Sequence, residues 1–159
     1  MRTINTDRLY LRPMADGEWI RVVDRILDAD EGYIQFGCPV TREMIAEPYT
    51  ECVIYYTIML PFTRDMIGYV EFTPYNKNVG YYLFEEYRHQ GFAYEGVKAF
   101  MEACMRGEVT GRLEREFYAD VVDYNVPSKR LLRKLGFRET GYGYFYDPER
   151  EEEIAEKIA

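Results

Sequence analysis

A loop that could bind an anion lies near the middle of the chain, between a β-prone stretch and a stretch with helical periodicity. Its residues are Arg88, His89, Gln90, Gly91, Phe92, Ala93 and Tyr94. Where a strand runs through a glycine-containing loop into a helix, free backbone N–H groups and the positive end of the helix dipole converge. Gly91 and Ala93 let a phosphate approach the backbone closely, and Arg88 and His89 add donors. The loop predicts a pyrophosphate site, although an ordinary strand-to-helix connection is the alternative interpretation.

A second polar pair starts the last predicted helix. Asn125 and Ser128 lie on either side of Pro127, which favours the first turn of a helix. Gly136 suits the left-handed residue that follows the end of a helix. Asparagine and serine are good capping residues, so helix capping is an alternative interpretation for both.

Composition narrows the class of protein. The 159 residues carry 28 acidic and 20 basic side chains, a formal charge of -8, whereas a nucleic-acid reader needs a basic surface. An acidic surface suits a cationic partner or simply keeps the protein in solution. One histidine and three scattered cysteines give no metal-site spacing. No apolar run approaches the roughly 20 residues that cross a bilayer, and the polar start lacks a signal core, so we expect a cytoplasmic protein without membrane contact.

The chain reads as one domain, residues 1–159, because no linker, repeat or low-complexity stretch divides it. Residue patterns predict strands at 9–12, 52–60, 66–73, 79–84, 117–122 and 138–146. They predict helices from residue 16, from 93 to about 107, and between Pro127 and Gly136. We expect a loop at 28–40 and a short helical turn at 41–46, whereas 147–159 suit either a helix or a last strand.

The two polar motifs, in this order, resemble the signatures of the GNAT superfamily of acyl-CoA-dependent N-acyltransferases. The matching residues are Arg88-x-x-Gly91-x-Ala93 for its pyrophosphate loop, and Asn125-x-x-Ser128, Leu131 and Gly136-Phe137 for its second signature. Three more segments resemble the branch that acetylates N-termini of ribosomal proteins, and related small-amine acetyltransferases. They are Thr6-Asp7-Arg8-Leu9-Tyr10-Leu11-Arg12-Pro13, Ile67-Gly68-Tyr69-Val70 and Gly80-Tyr81-Tyr82-Leu83. The resemblance covers nearly the whole chain.

This resemblance implies an α+β fold of the GNAT type, in which helices flank a mixed, strongly twisted sheet with splayed central strands. The splayed strands would be 79–84 and 117–122, and the slot between them would hold the pantetheine arm of acetyl-CoA. The backbone of Leu83 and Phe84 would pair with that arm like an added strand, and an N–H near Leu83 would bond the thioester carbonyl.

The implied activity is direct transfer of an acetyl group from acetyl-CoA, the cosubstrate, to a primary amine without a metal. The acceptor would be a small amine or a protein N-terminus, selected by residues 28–40 and 141–147. Aromatic side chains there could cover an amine, although sheet packing is their commoner role. A non-catalytic acyl-CoA-binding module that has lost turnover is the alternative. The oligomeric state stays open, with a homodimer as one option.

Two departures from the family pattern concern proton transfer. Asn78 stands where many relatives carry a glutamate, and Leu132 where many carry a tyrosine that protonates the departing thiolate. The resemblance puts Asn125 beside the cofactor arm or an active-site water and Ser128 near the sulfur, so Ser128 becomes the candidate acid. Glu71, on the strand beside the slot, is the candidate base through water, and an outward-facing sheet carboxylate is the competing interpretation.

Overall fold

The computed structural model describes residues 2–141 and 143–149. Its strands are β1 (Ile4–Asn5), β2 (Tyr10–Pro13), β3 (Ile54–Met59), β4 (Met66–Thr73), β5 (Asn78–Leu83), β6 (Tyr118–Ala119), β7 (Phe137–Thr140) and β8 (Gly143–Tyr146). Its helices are α1 (Glu18–Asp28), α2 (Gly32–Phe36), α3 (Phe92–Met105) and α4 (Val126–Lys134), with a 3₁₀ turn at Glu85–Tyr87. These elements confirm the α+β class. Within the described ranges, no helix is both long and apolar enough to span a bilayer.

All strands belong to one mixed sheet, in the order β1-β2-β3-β4-β5-β6-β8-β7. Neighbouring strands are antiparallel, except that β5 and β6 run parallel. Those two strands are joined at Asn78 and Tyr118, and their pairing goes no further in the part of the chain that the structure describes. Beyond that point the sheet opens into a gap, which confirms the splayed central strands implied by the resemblance.

The two faces of the sheet pack against different helices. On one face, Phe100 of α3 meets Tyr56 of β3 edge-on, with ring centroids 5.2 Å apart. On the other, Trp19 of α1 meets Tyr69 of β4 edge-on at 5.5 Å. Because side chains alternate along a strand, Glu71 shares the face of Tyr69 and therefore the side of α1.

The elements with the strongest periodicity agree with their predictions. The strand expected at 66–73 is β4, with the same bounds, and the helices expected from residue 93 and from Pro127 are α3 and α4 within one residue at their starts. The antiparallel order of β3, β4 and β5 is also confirmed. Long periodic stretches are where burial and local preference point to one structure.

Other predictions are wrong, for local reasons. Residues 137–140 and 143–146 pair as the antiparallel strands β7 and β8, in place of the one strand expected at 138–146, and the Thr140 hydroxyl donates to the Gly143 carbonyl at 3.1 Å. The strand expected at 117–122 is shortened to β6 because β5 diverges from it.

The N-terminal half also differs from expectation. The expected loop at 28–40 contains α2, residues 41–46 form turns without a helix, and β1 is an additional short strand. Tyr142 and residues 150–159 lie outside the described residues, so the choice between helix and strand for the C-terminal segment stays a prediction.

Candidate functional site

The edge of β5 that faces the gap carries backbone groups that do not bond to β4. The Phe84 N–H donates to the Ile67 carbonyl of β4 at 2.8 Å, and Leu83 pairs with Gly68 in register. Because backbone groups alternate sides along a strand, the N–H and C=O of Tyr81 and Leu83 point away from β4, toward the gap. Leu83 therefore lies where the sequence motif put it, whereas the Phe84 N–H is already used inside the sheet.

The N-terminus of α3 gathers several backbone N–H groups near this edge. Gly91 caps the helix with a left-handed φ of 82°, and the first intrahelical bond runs from the Glu95 N–H to the Gly91 carbonyl. The N–H groups of Phe92, Ala93 and Tyr94 precede that bond, so they stay outside the helical ladder. With the helix dipole, they form a cluster of donors suited to a phosphate.

Two lysines add positive charge next to these donors. The Lys134 ammonium lies 4.3 Å and the Lys98 ammonium 5.5 Å from the centre of the Tyr94 ring. They belong to an open cavity of about 380 Å³. It is lined by Arg8, Gly91, Tyr94, Glu95, Lys98, Ala99, Glu102 and Lys134. We call these donors and this cavity together the α3 site.

The N-terminal segment is fastened to the same loop. Arg8 donates from Nε to a Glu95 carboxylate oxygen and from Nη1 to the Gln90 carbonyl, both at 2.8 Å. Its guanidinium covers the Phe92 ring at 4.4 Å, and the Thr6 hydroxyl donates to Glu95. Sequence reasoning noted Thr6 and Arg8 as family-like without a role; the structure gives them one, which is to hold the first turn of α3.

The remaining polar residues of the loop differ in what their side chains contact. His89 is exposed, with a left-handed φ of 64°. The Gln90 side chain donates to the Glu86 carbonyl at 3.2 Å. The Arg88 guanidinium makes a two-pronged ion pair with Glu31 at 2.8 and 2.9 Å. Arg88 also donates from Nε to the Leu83 carbonyl at 2.9 Å, so it reaches back along β5.

Asn125 and Ser128 lie at the start of α4, on the opposite side of the gap. The Asn125 side chain caps the helix by accepting from the Ser128 N–H at 3.3 Å, which confirms the capping interpretation for Asn125. The Tyr81 hydroxyl donates weakly to the Ser128 carbonyl at 3.5 Å, so α4 and β5 meet here. Leu132 is fully buried and carries no proton to give.

Glu71 lies over the backbone of β5. A Cβ at position 80 would stand 2.5 Å from a Glu71 carboxylate oxygen, so only glycine leaves room for this side chain. Burial raises the pKa of Glu71 to about 7, against a smaller lowering by the Tyr55 hydroxyl, directly across on β3. A carboxylate that titrates near neutral pH can take and release protons under ordinary conditions.

A second cavity, which we call the α2 cavity, lies at the other end of the gap. It has a volume of about 440 Å³. It is lined by Ile34, Gln35, Phe36, Gly37, Asp120, Val121, Val122, Asp123, Lys129, Glu139, Thr140, Gly141, Gly143 and Tyr144. The segments expected at 28–40 and 141–147 thus meet in one wall. Glu71 is not among these lining residues.

The α2 cavity is acidic and partly aromatic. Lys129 lies 3.6 Å from Asp123, and Arg133 lies 3.4 Å from Glu139, so two of its three carboxylates have cationic partners. Tyr144, only 3% exposed, has a hydroxyl without a hydrogen-bond partner in the described structure. In the described ranges, no group of three or more His, Cys, Asp or Glu side chains could hold a metal ion.

Comparison with known proteins follows this geometry. The family model of the acetyltransferase (GNAT) domain matches residues 8–138. No curated protein matches the chain. An acetyltransferase from Agrobacterium tumefaciens str. C58 is 18% identical, with 92% of this chain and 93% of that chain covered and a TM-score of 0.73.

Two further solved structures carry more specific names. RimL, a ribosomal L7/L12 α-N-protein acetyltransferase in complex with coenzyme A, is 20% identical, with 91% of this chain and 94% of that chain covered and a TM-score of 0.66. An acetyl transferase from Salmonella typhimurium that modifies the N-terminal serine of L7/L12 is 19% identical, with 91% and 95% covered and a TM-score of 0.64. These likenesses establish the fold, and the family match over most of its length shows that the chain belongs to the GNAT acetyltransferase family.

Proposed function

We propose that this protein is an N-acetyltransferase that transfers the acetyl group of acetyl-CoA directly to a primary amine while both substrates are bound. The observation that carries this proposal is the gap between β5 and β6, with the α3 site at one end and the α2 cavity at the other. Direct transfer needs two substrates to meet at one point from different sides. A single strand edge reached from two openings meets that requirement.

The α3 site suits the pyrophosphate and nucleotide part of the cosubstrate. The N–H groups of Phe92, Ala93 and Tyr94 would donate to the pyrophosphate, with the backbone of Gln90 and Gly91 closing the loop around it. His89 is exposed beside this point and adds a donor. Lys98 and Lys134 would attract the remaining phosphate charge.

The edge of β5 that faces the gap suits the pantetheine arm and the thioester. Tyr81 and Leu83 direct their N–H groups into the gap, as in the addition of one more strand to a sheet. The Leu83 N–H would donate to the thioester carbonyl and stabilise the negative charge that develops there. Phe84 would then support this edge through its bond to Ile67. Acetyl-CoA itself supplies the activated acetyl group.

Glu71 is the proposed base, acting through water because it does not line the α2 cavity. Its pKa of about 7 leaves much of it ionised at neutral pH. The ordinary pKa is about 7.7 to 8.0 for an α-amino group and about 10.4 for a lysine amine. Glu71 therefore matches a peptide N-terminus better than an alkylamine. Ser128 is the proposed acid for the thiolate, and Asn125 orients it by capping α4.

The α2 cavity suits a cationic acceptor. Asp120 has no cationic partner in the described structure, and the aromatic residues Phe36 and Tyr144 line the same cavity. Two neighbours are named as acetyltransferases of the L7/L12 N-terminus, which supports a peptide N-terminus as the first acceptor to test.

Release of free CoA thiol tests this proposal. Acetyl-CoA is incubated with short peptides that start with serine or alanine, with the same peptides N-acetylated as matched controls, and with small diamines. We expect thiol release with the free N-termini and none with the blocked peptides. Calorimetric binding of CoA without thiol release from any amine would favour the non-catalytic binding module. Absence of CoA binding would overturn the whole proposal.

A further inference from the structure

Arg88 belongs to the phosphate loop by sequence, but its side chain serves the other end of the gap. We propose that Arg88 is a positioning residue, not a pyrophosphate ligand: by its ion pair with Glu31 it holds α2, one wall of the α2 cavity, against the end of β5. This inference rests on the proposed function, because it assigns the α2 cavity to the acceptor.

Every prong of the Arg88 side chain is already engaged away from the α3 site. Two nitrogens donate to the two carboxylate oxygens of Glu31, and Nε donates to the Leu83 carbonyl. The guanidinium also stacks 5.3 Å from the Tyr82 ring centre, and the Tyr82 hydroxyl donates to Glu31. Three of the five guanidinium N–H donors are used in this way, and the ion pair holds the planar fork on the side of Glu31, so the fork cannot turn to a phosphate at the α3 site without breaking that pair.

The α2 helix depends on such ties. It has five residues, and so short a helix is unstable in water without tertiary contacts. Glu31 immediately precedes it and carries the ion pair to Arg88. At its other end, the Gln35 side chain donates to the Tyr81 carbonyl at 3.1 Å and to the Tyr69 hydroxyl at 3.2 Å. Both ends of α2 are therefore fastened to the strands that border the gap.

The electrostatics of Glu31 agree with this role. Burial raises the pKa of Glu31, but the donors from Arg88 and Tyr82 outweigh burial and hold it below the ordinary value. The carboxylate thus stays ionised while partly buried. Without Arg88, the unpaired Glu31 carboxylate would be more stable in contact with water, and its movement toward solvent would displace α2.

The experiment compares Arg88→Gln, Glu31→Gln and the double variant with wild type. The hydrogen-exchange rates of residues 31–37 measure how well α2 is ordered, and calorimetry measures CoA affinity. The KM for the best peptide acceptor measures how well the α2 cavity binds it. We expect exchange about tenfold faster and an acceptor KM about tenfold higher in each single variant, with CoA affinity changed by less than about threefold. The double variant should be no worse than either single one. Arg88→Lys, which keeps the charge but not the fork, should be intermediate.

Arg25→Gln is the matched control. Arg25 also pairs with a carboxylate, Glu86, and lies 4.6 Å from the Phe84 ring centre, but neither partner belongs to α2. It should leave α2 exchange unchanged. If Arg88→Gln instead weakens CoA binding about tenfold or more while α2 exchange stays at the wild-type rate, Arg88 is a phosphate ligand and the inference is wrong. A wild type that binds no CoA would overturn the proposed function, yet the exchange measurement would still decide whether Arg88 holds α2.

Discussion

The two ends of the gap between β5 and β6 are built in different ways. The α3 site comes mainly from one continuous stretch around the start of α3, and its donors are backbone N–H groups. The α2 cavity comes from α2, the chain after β6, the start of α4 and the β7–β8 hairpin, and its chemistry lies in side chains. One end is local and cationic; the other is assembled from distant segments and acidic.

This difference separates what a fold supplies from what a particular chain supplies. Backbone donors at a helix start need only a left-handed glycine and the helix dipole, so the α3 site follows from local geometry. The α2 cavity needs four segments to meet, so each substitution in them can change the shape and charge of the cavity. The following variants test whether the α3 site and the α2 cavity act independently of each other.

The largest effect should come from Glu71→Gln. This change removes the proposed base while keeping the size of the side chain, and we expect kcat/KM to fall about 100-fold. Because burial raises the pKa of Glu71 to about 7, wild-type activity should increase as pH rises through 7, and the variant should lose that limb. The measurement is kcat/KM between pH 6 and 9, with exposed Glu43→Gln as control. Equal profiles for Glu71→Gln and wild type would remove Glu71 from the mechanism.

The same variant should gain stability at alkaline pH. The folded-state pKa of about 7 lies above the ordinary value of 4.5, so this group stabilises the fold below pH 4.5 and loses that contribution as pH rises through 7. Gln cannot ionise, so the variant should gain up to about 3 kcal/mol relative to wild type between pH 5 and pH 9. Urea unfolding at both values measures this, and a constant difference would mean that Glu71 is well solvated.

Gly91→Val should weaken CoA binding about 5- to 30-fold. A β-branched residue resists the left-handed φ of 82° by about 1–2 kcal/mol, and its Cβ would stand 3.2 Å from Arg8. Gly111→Val is the matched control, since its φ is 83° but nothing lies within 4 Å of the added atom. Calorimetry with CoA should separate the two variants. Equal affinities in both would argue that the α3 site binds no pyrophosphate.

The smallest effect should come from Lys134→Gln, because an exposed charge contributes only about 0.2–1 kcal/mol. We expect CoA affinity to fall about two- to fivefold, with the difference shrinking at high salt. Arg133→Gln, on the same helix but paired with Glu139 of the α2 cavity, should leave CoA affinity unchanged. If Arg133→Gln weakened CoA binding more than Lys134→Gln did, the charges of the α2 cavity would also influence CoA binding at the α3 site.

Sequence patterns predicted the local parts of this molecule and missed the assembled ones. The strand β4 and the helix starts at Phe92 and Val126 carry their signals within a few residues. The five residues of α2 show no apolar periodicity. The helix is held through Glu31 and Gln35 by partners about 50 positions away, which a local pattern does not show. The role of Arg88 was hidden for the same reason.

The single join at Asn78 and Tyr118 also has a mechanical meaning. Few backbone hydrogen bonds connect β5 to β6, so a force applied across the sheet acts on this one pair of residues and on the helices that pack across the gap. A molecule that binds along the β5 edge would connect the two parts of the sheet on either side of the gap, and would resist their separation for as long as it stays bound.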